Sequence, residues 1–223
     1  MPKGRGFSEA LVSPIPVSEI NRFTREEGEK VRHLIGMRCF CIRPDGQPDP
    51  NCRQHENGGW LYKDEKIITG IVTGVNFHKD LMETGAFIPG DCVFSPQAGV
   101  VVSEMDKIIF TWPEVYGPGE AVIRSGEEGD TLYYQPVKAL YCVDEDGIRY
   151  YQDKDFRFEG KRIVWTWDGK PADGTLPATG WRYTIKYMAY IEWIAFVPPV
   201  TRRSHSKDIS NKVILRKRHI FEG

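Results

Sequence analysis

No apolar run in this chain approaches the ~20 residues a bilayer-spanning helix requires. The longest are Ile108–Phe110, Tyr187–Ile191 and Trp193–Val197. No charged start leads into an apolar stretch near Met1, so no export signal is read there. Excess charge of either sign is also missing: 30 Lys+Arg stand against 31 Asp+Glu, a net charge of −1. That balance gives no reason to expect a nucleic-acid binder. Catalytic signatures are missing too, with no G-x-S-x-G elbow, no H-E-x-x-H, no P-loop and no G-x-G-x-x-G. The five histidines (His33, His55, His78, His205, His219) stand in no catalytic pattern. We therefore expect a soluble, cytosolically made, non-enzymatic chain without membrane contact. No internal repeat or low-complexity segment is found.

What is present is ordinary globular material. The chain has 223 residues, 40% hydrophobic and 27% charged, enough for a core without staples. The charge is unevenly spread. Residues 198–223 hold Arg202, Arg203, Lys207, Lys212, Arg216, Lys217 and Arg218 against only Asp208 and Glu222. Such a basic tail reads either as a solvated arm or as a segment that docks on an acidic neighbour through Arg202, Arg203, Arg216, Lys217 and Arg218.

Residues 1–17, with Gly4, Gly6, Pro14 and Pro16, lack periodicity and read as an extended arm. Thr24-Arg25-Glu26-Glu27 has the spacing of a capping box. Ile20, Phe23, Val31, Leu34 and Ile35 form a partial helical stripe, which predicts a helix from about Ser18 to Leu34. Beyond residue 60 the period shortens. Ile67–Thr73 is rich in β-branched residues, and Tyr183, Ile185, Tyr187, Ala189, Ile191 and Trp193 alternate with Arg182, Thr184, Lys186, Met188, Tyr190 and Glu192. Short strands punctuated by Gly and Pro argue for a mainly β fold, a barrel or sandwich. The expected layout is an arm (1–17), a helix plus Cys/His loop (18–62), a β body (63–197) and a basic C-terminal arm (198–223), within which Lys212 to Phe221 reads either as a last strand or as a second arm. The acidic groups Glu127-Glu128-Asp130 and Asp144-Glu145-Asp146 read as solvated turns, and Ser103-Glu104-Met105-Asp106 carries no signal. Cys92 and Cys142 lie in apolar segments and read as core.

The chemistry-bearing segment is 39–59. Cys39-x-Cys41, ten residues, then Cys52-x-x-His55 places two pairs of potential ligands around a loop containing Pro44, Pro48 and Pro50. Three thiolates and an imidazole would fill a tetrahedral Zn²⁺ shell. A disulfide from Cys52 to Cys39 or Cys41, formed late in a reducing compartment, is a second reading. Three reduced thiols in a surface loop are a third.

Together, Cys39-x-Cys41, Gly46-Gln47-Pro48-Asp49-Pro50-Asn51-Cys52-x-x-His55-x-x-Gly58, Gly90–Pro96, Met105–Ile108, Glu120–Arg124, Asp130–Tyr134, Tyr151–Trp165 and Tyr183–Tyr187 resemble segments of tailed-bacteriophage virion proteins. The family is the head–tail connectors of the neck, or head-closure (stopper), type. Phe40 stands where that family usually has Pro, and His55 where it has a last Cys. The resemblance spans about residues 20–197. It implies a structural virion protein located in the neck and assembled in the host cytoplasm. It further implies a sixfold or twelvefold ring of copies between a portal or adaptor and a tail terminator or tube, with DNA passing through a weakly acidic lumen. The alternative is a small zinc-stabilised protein-binding module, either another tail or baseplate structural component or a recruiter of a partner protein, and a virion-associated hydrolase is the remote one.

Overall fold

The computed structural model of the chain describes residues 16–41, 43–49, 51–52, 54–55, 58–74, 88, 90–117, 119–126, 129–165, 177, 179–196, 200–204 and 207–221; for 200–204, 207–211 and 221 it describes backbone only. Most of the expected N-terminal arm lies outside them, as do His78, His205, Glu127 and Glu128. The fold is mainly β and divides into two units. One comprises residues 1–110 and 192–223, the other Thr111–Ile191. The expected single body at 63–197 is therefore corrected: the second unit is an insertion in the first.

The first unit opens with α1 (Val17–Glu27), followed by β1 (Glu29–Arg38), β2 (Trp60–Gly74), β3 (Cys92–Pro96) and β4 (Lys107–Phe110). After the insertion come β12 (Glu192–Ala195), β13 (Val200–Ser204), β14 (Lys207–Lys217) and the single turn α2 (Arg218–Phe221). The strand order β12-β4-β1-β2-β3-β14, closed by a β12–β14 pairing, is a six-stranded barrel, with β13 attached to β14. Every pairing is antiparallel. Closure leaves no barrel edge unpaired. Val31, Phe94, Ile108, Ala195, Val213 and Leu215 fill the interior at 0% exposure.

Two expectations fail here. The helix stops at Glu27, and residues 29–38 form a strand. Val31 and His33 are buried and alternate with less buried neighbours, so a two-residue period lay beneath the apparent helical stripe. Gly28 makes the break: it is extended (φ −86°, ψ 154°), and a Cβ there would lie 2.1 Å from the Thr24 carbonyl oxygen and 3.0 Å from that of Gly70. Thr24 sits buried inside α1, which starts after Pro16 without a side-chain cap. The second is the C-terminal arm: of the two readings of Lys212–Phe221, the strand is the one the structure shows. Residues 207–217 are a barrel strand, because Val213 and Leu215 point inward against β3 and β12.

The inserted unit contains β5 (Glu114–Val115), β6 (Glu120–Ile123), β7 (Asp130–Thr131), β8 (Gln135–Asp144), β9 (Arg157–Glu159), β10 (Arg162–Val164) and β11 (Arg182–Tyr190). β11 is flanked by β5 and β6 on one side and β8 on the other, while β7-β10-β9 form a second small sheet. The alternation expected for β11 holds: Tyr183, Ile185, Tyr187 and Ala189 are buried. Trp165 stacks edge-on to Tyr183 (centroids 4.9 Å) and Tyr150 (5.2 Å). Such pairs contribute about 0.5–1.5 kcal/mol beyond their buried area. Cys92 and Cys142 are buried core thiols, one in each unit.

Of the acidic turn residues expected to be solvated, Glu145 and Asp146 are exposed, but Asp130 and Asp144 are not. Asp130 is buried and accepts hydrogen bonds from Trp165 Nε1 (2.9 Å), the Tyr183 hydroxyl (2.8 Å) and the Ser125 amide (2.6 Å). Asp144 is likewise buried and accepts from the Tyr150 hydroxyl (2.7 Å) and two turn amides. An aromatic core with hydroxyl and indole donors needs buried acceptors, and these carboxylates supply them.

Candidate metal centre

The loop between β1 and β2 continues their ladder by one bond, Cys39 N–H to Gly59 O (2.8 Å), and then opens. Side-chain turns order it locally: Asp45 Oδ1 accepts from the Gln47 amide and Asp49 Oδ1 from the Asn51 amide, each at 2.9 Å. Aspartate bonding to a backbone amide two residues on is a standard turn device. Arg43 and Gln47 pair through the Arg43 amide (2.9 Å), and the Cys52 amide reaches Asp49 O (3.1 Å). Gly59 has φ +75°, and a Cβ there would lie 2.8 Å from Pro48 Cβ. This close approach folds the far side of the loop back onto its base.

These turns bring Cys39, Cys41, Cys52 and His55 together, with their ligand atoms all within 4.8 Å of one another. Cys39 Sγ and Cys52 Sγ lie 3.8 Å apart. Two thiolates about 2.3 Å from a tetrahedral zinc are separated by about 3.8 Å, so this edge is already at length. Cys41 Sγ is 3.0 Å from His55 Nε2, a contact that shared coordination would open to about 3.6 Å. The other ring nitrogen, His55 Nδ1, is buried without a hydrogen-bond partner. Cys39 Sγ also approaches Gln54 Oε1 at 3.7 Å, a neighbour that no spacing rule flags. All five cysteines are free thiols.

The electrostatics point the same way. A hydrogen bond from the Cys41 amide holds the Cys39 thiol below its usual value. Desolvation pushes the Cys41 thiol up to about 11, with Cys39 and Cys52 beside it adding to the rise. Three thiolates this close repel one another unless a cation sits among them. Soft sulfur and imidazole donors in a four-point cluster fit Zn²⁺. Four protein donors are the number that a tetrahedral zinc shell takes.

Of the basic residues expected to bind a partner, Arg216, Lys217 and Arg218 are described with their side chains, and each has a partner in its own unit. Arg216 is committed to buried Asp91 through two bonds, 3.0 and 2.8 Å, and stacks over Phe196. Arg218 is buried on Glu192 at 2.7 Å. Lys217 lies over the Trp193 ring at 5.2 Å. Arg202 and Arg203 are on β13. Arg216 and Arg218 therefore hold the barrel together, a correction that follows from β14 being a barrel strand. Lys107 adds a second cation to Glu192 (2.8 Å). His33 Nε2 meets buried Asp106 Oδ2 at 2.8 Å, and Asp106 also accepts from the Gly36 and Ser103 amides. These pairs span up to 125 residues of sequence, so no local motif exposes them.

Among the described residues, no helix is long and apolar enough to cross a membrane. No protein-family model matches the chain, and no curated protein matches it.

Proposed function

We propose that this protein is a structural assembly component, a zinc-stapled β-barrel that functions by fitting against neighbouring copies and partner proteins. Its best setting is the head–tail connector ring of a tailed-phage particle. The observation that carries the reading is the four-donor cluster at Cys39, Cys41, Cys52 and His55. A full tetrahedral shell stabilises a loop and offers no position for substrate. The closed barrel agrees with the fold implied by the resemblance, and its buried ion pairs favour a rigid part. In this setting copies form a sixfold or twelvefold ring between portal or adaptor and tail, and DNA passes without sequence-specific contacts.

The test is imaging of the intact particle with this chain labelled, together with metal analysis of the purified protein. Label in a closed ring at the neck supports the reading. Label on the capsid lattice, or none in the particle, overturns it. A second reading, a zinc-stabilised module that recruits one partner as a monomer, is favoured by the exposed Phe40 at the head of the metal loop. Stoichiometric zinc with a specific monomeric complex would select it.

A further inference from the structure

The thiols of the loop between β1 and β2 have unequal surroundings. Cys39 is 2% exposed, while Cys41 and Cys52 are half-buried. Cys39 Sγ has Cys52 Sγ as a neighbour at 3.8 Å, and Cys41 Sγ has His55 Nε2 at 3.0 Å. The four donors thus fall into two couples, a dithiol and a thiol–imidazole pair.

Of the two disulfides that the spacing allows, Cys52 with Cys39 or with Cys41, this arrangement prepares the first. A disulfide measures about 2.05 Å between sulfurs, so each Sγ travels about 1 Å to close it. Shifts of that size fall within side-chain rotation and leave the ladder bond from the Cys39 amide to Gly59 O (2.8 Å) in place. A Cys39–Cys41 bond must instead close a ring across one intervening residue, with little freedom to reach the preferred torsion of about 85–100°. Cys92 and Cys142 are buried, one in each unit. Burial pushes the Cys142 thiol far above its usual value, and an un-ionised thiol is a poor nucleophile.

We propose that Cys39 and Cys52 are the oxidation site of this chain: a peroxide joins them as a disulfide, and that bond replaces the metal as the closure of the loop. The proposal rests on the zinc reading of the four-donor cluster and adds its regulation. The more exposed Cys52 thiolate attacks hydrogen peroxide. Its S–O bond forms as the O–O bond breaks, and the hydroxide released takes up a proton. The Cys39 thiolate then attacks the Cys52 sulfur, the S–S bond forms as the S–O bond breaks, and the second hydroxide leaves as water. Two thiolates lose two electrons in all, and one peroxide takes up two protons to become two waters.

Only Cys41 and His55 then remain as donors, half of a tetrahedral shell, so zinc leaves. The loop stays tied. Cys39 follows the last residue of β1 and Cys52 precedes β2, so either closure holds the same two limbs together. The metal serves in a reducing cytosol, the disulfide after exposure to an oxidising exterior.

The test treats the purified full chain with hydrogen peroxide, following zinc with a chromophoric chelator and mapping disulfides by mass spectrometry. Zinc per chain is measured first by elemental analysis. Cleavage before Asp45 and Asp49 separates Cys52 from Cys39 and Cys41, and fragmentation then tells those two apart. One zinc is expected to leave for every two thiols lost, and Cys39–Cys52 should exceed either other linkage at least about tenfold. Cys41→Ser should form the same linkage, whereas Cys39→Ser should lower the yield of any Cys52 linkage at least about tenfold. Circular dichroism checks that both variants fold; if one does not, the mapping in wild type decides alone. A dominant Cys39–Cys41 or Cys41–Cys52 bond overturns the proposal, as do sulfinic acids without a disulfide or thiols that survive with zinc in place. Those results leave the metal reading standing, whereas a chain that holds no zinc before oxidation removes that reading and the exchange with it.

Discussion

Cys39 and Cys52 are thirteen positions apart, yet their sulfurs lie 3.8 Å from each other, a length that matches the edge of a zinc–thiolate tetrahedron. The purified chain should accordingly hold one zinc per molecule by elemental analysis. Cys52→Ser should lower that content at least about tenfold, since a hydroxyl is a poor substitute for a thiolate ligand. Hydrogen exchange should then accelerate at Gln47, Asn51 and Cys52, whose amides the loop turns protect, while Val213 and Phe94 in the barrel stay protected. Equal zinc in the variant would contradict the ligand assignment.

Glu192 is buried and receives both Lys107 (2.8 Å) and Arg218 (2.7 Å). Glu192→Ala leaves two cations without their anion inside the barrel and should destabilise it by about 3–5 kcal/mol in urea unfolding. Glu192→Gln, which keeps an acceptor but loses the charge, should fall between. A loss under about 1 kcal/mol for Glu192→Ala would show that water solvates these cations.

Burial pushes the Glu120 carboxyl above its ordinary value, against the hydrogen bonds it accepts from Tyr187 and the Tyr133 amide. The folded protein therefore holds this proton more tightly than the unfolded chain does. The associated stability is fully present below the ordinary carboxylate value of 4.5 and is lost as pH rises through the folded value. Glu120→Gln should remove that component, so the difference between variant and wild type should shift in the variant's favour as pH rises from 4 towards neutrality. Urea midpoints measured across this range check it, and a difference independent of pH would contradict it.

Asp130 accepts from Trp165, Tyr183 and Ser125 within the inserted unit. Asp130→Ala strands two buried donors, the Trp165 indole N–H and the Tyr183 hydroxyl, and should cost about 2–6 kcal/mol, at about 1–3 kcal/mol for each unsatisfied group. Near-ultraviolet circular dichroism of Trp165 and Tyr183 should weaken with it. An unchanged aromatic signal and midpoint would place the acceptor elsewhere.

What was legible in the sequence had a local cause. The alternation of Tyr183 to Ala189 is written in adjacent residues and exposed β11 directly. The spacing of Cys39, Cys41, Cys52 and His55 exposed their cluster, because all four come from one loop. The strand at 29–38 was hidden because Val31, Leu34 and Ile35 also suit a helical stripe, and only pairing with β2 and β4 decides between them. β14 was legible only as one of two readings of Lys212–Phe221, because its charges also suit an arm: Arg216 and Arg218 read as solvated until Asp91 and Glu192, far away in the chain, are seen to neutralise them. Asp130 and Asp144 beside glycine look like turn residues, and nothing nearby announces the tyrosines that use them. The two-unit division depends on β4 and β12 being neighbours across an 81-residue excursion (Thr111–Ile191), which no local pattern encodes.

The central claim is a closed metal centre that makes this chain a fitted part. Zinc K-edge absorption of the purified, metal-loaded protein tests it most directly. The account predicts three sulfurs at about 2.3 Å and one nitrogen at about 2.0–2.1 Å, with no oxygen in the shell. A zinc-bound water oxygen, or a chain that retains no zinc, would contradict it.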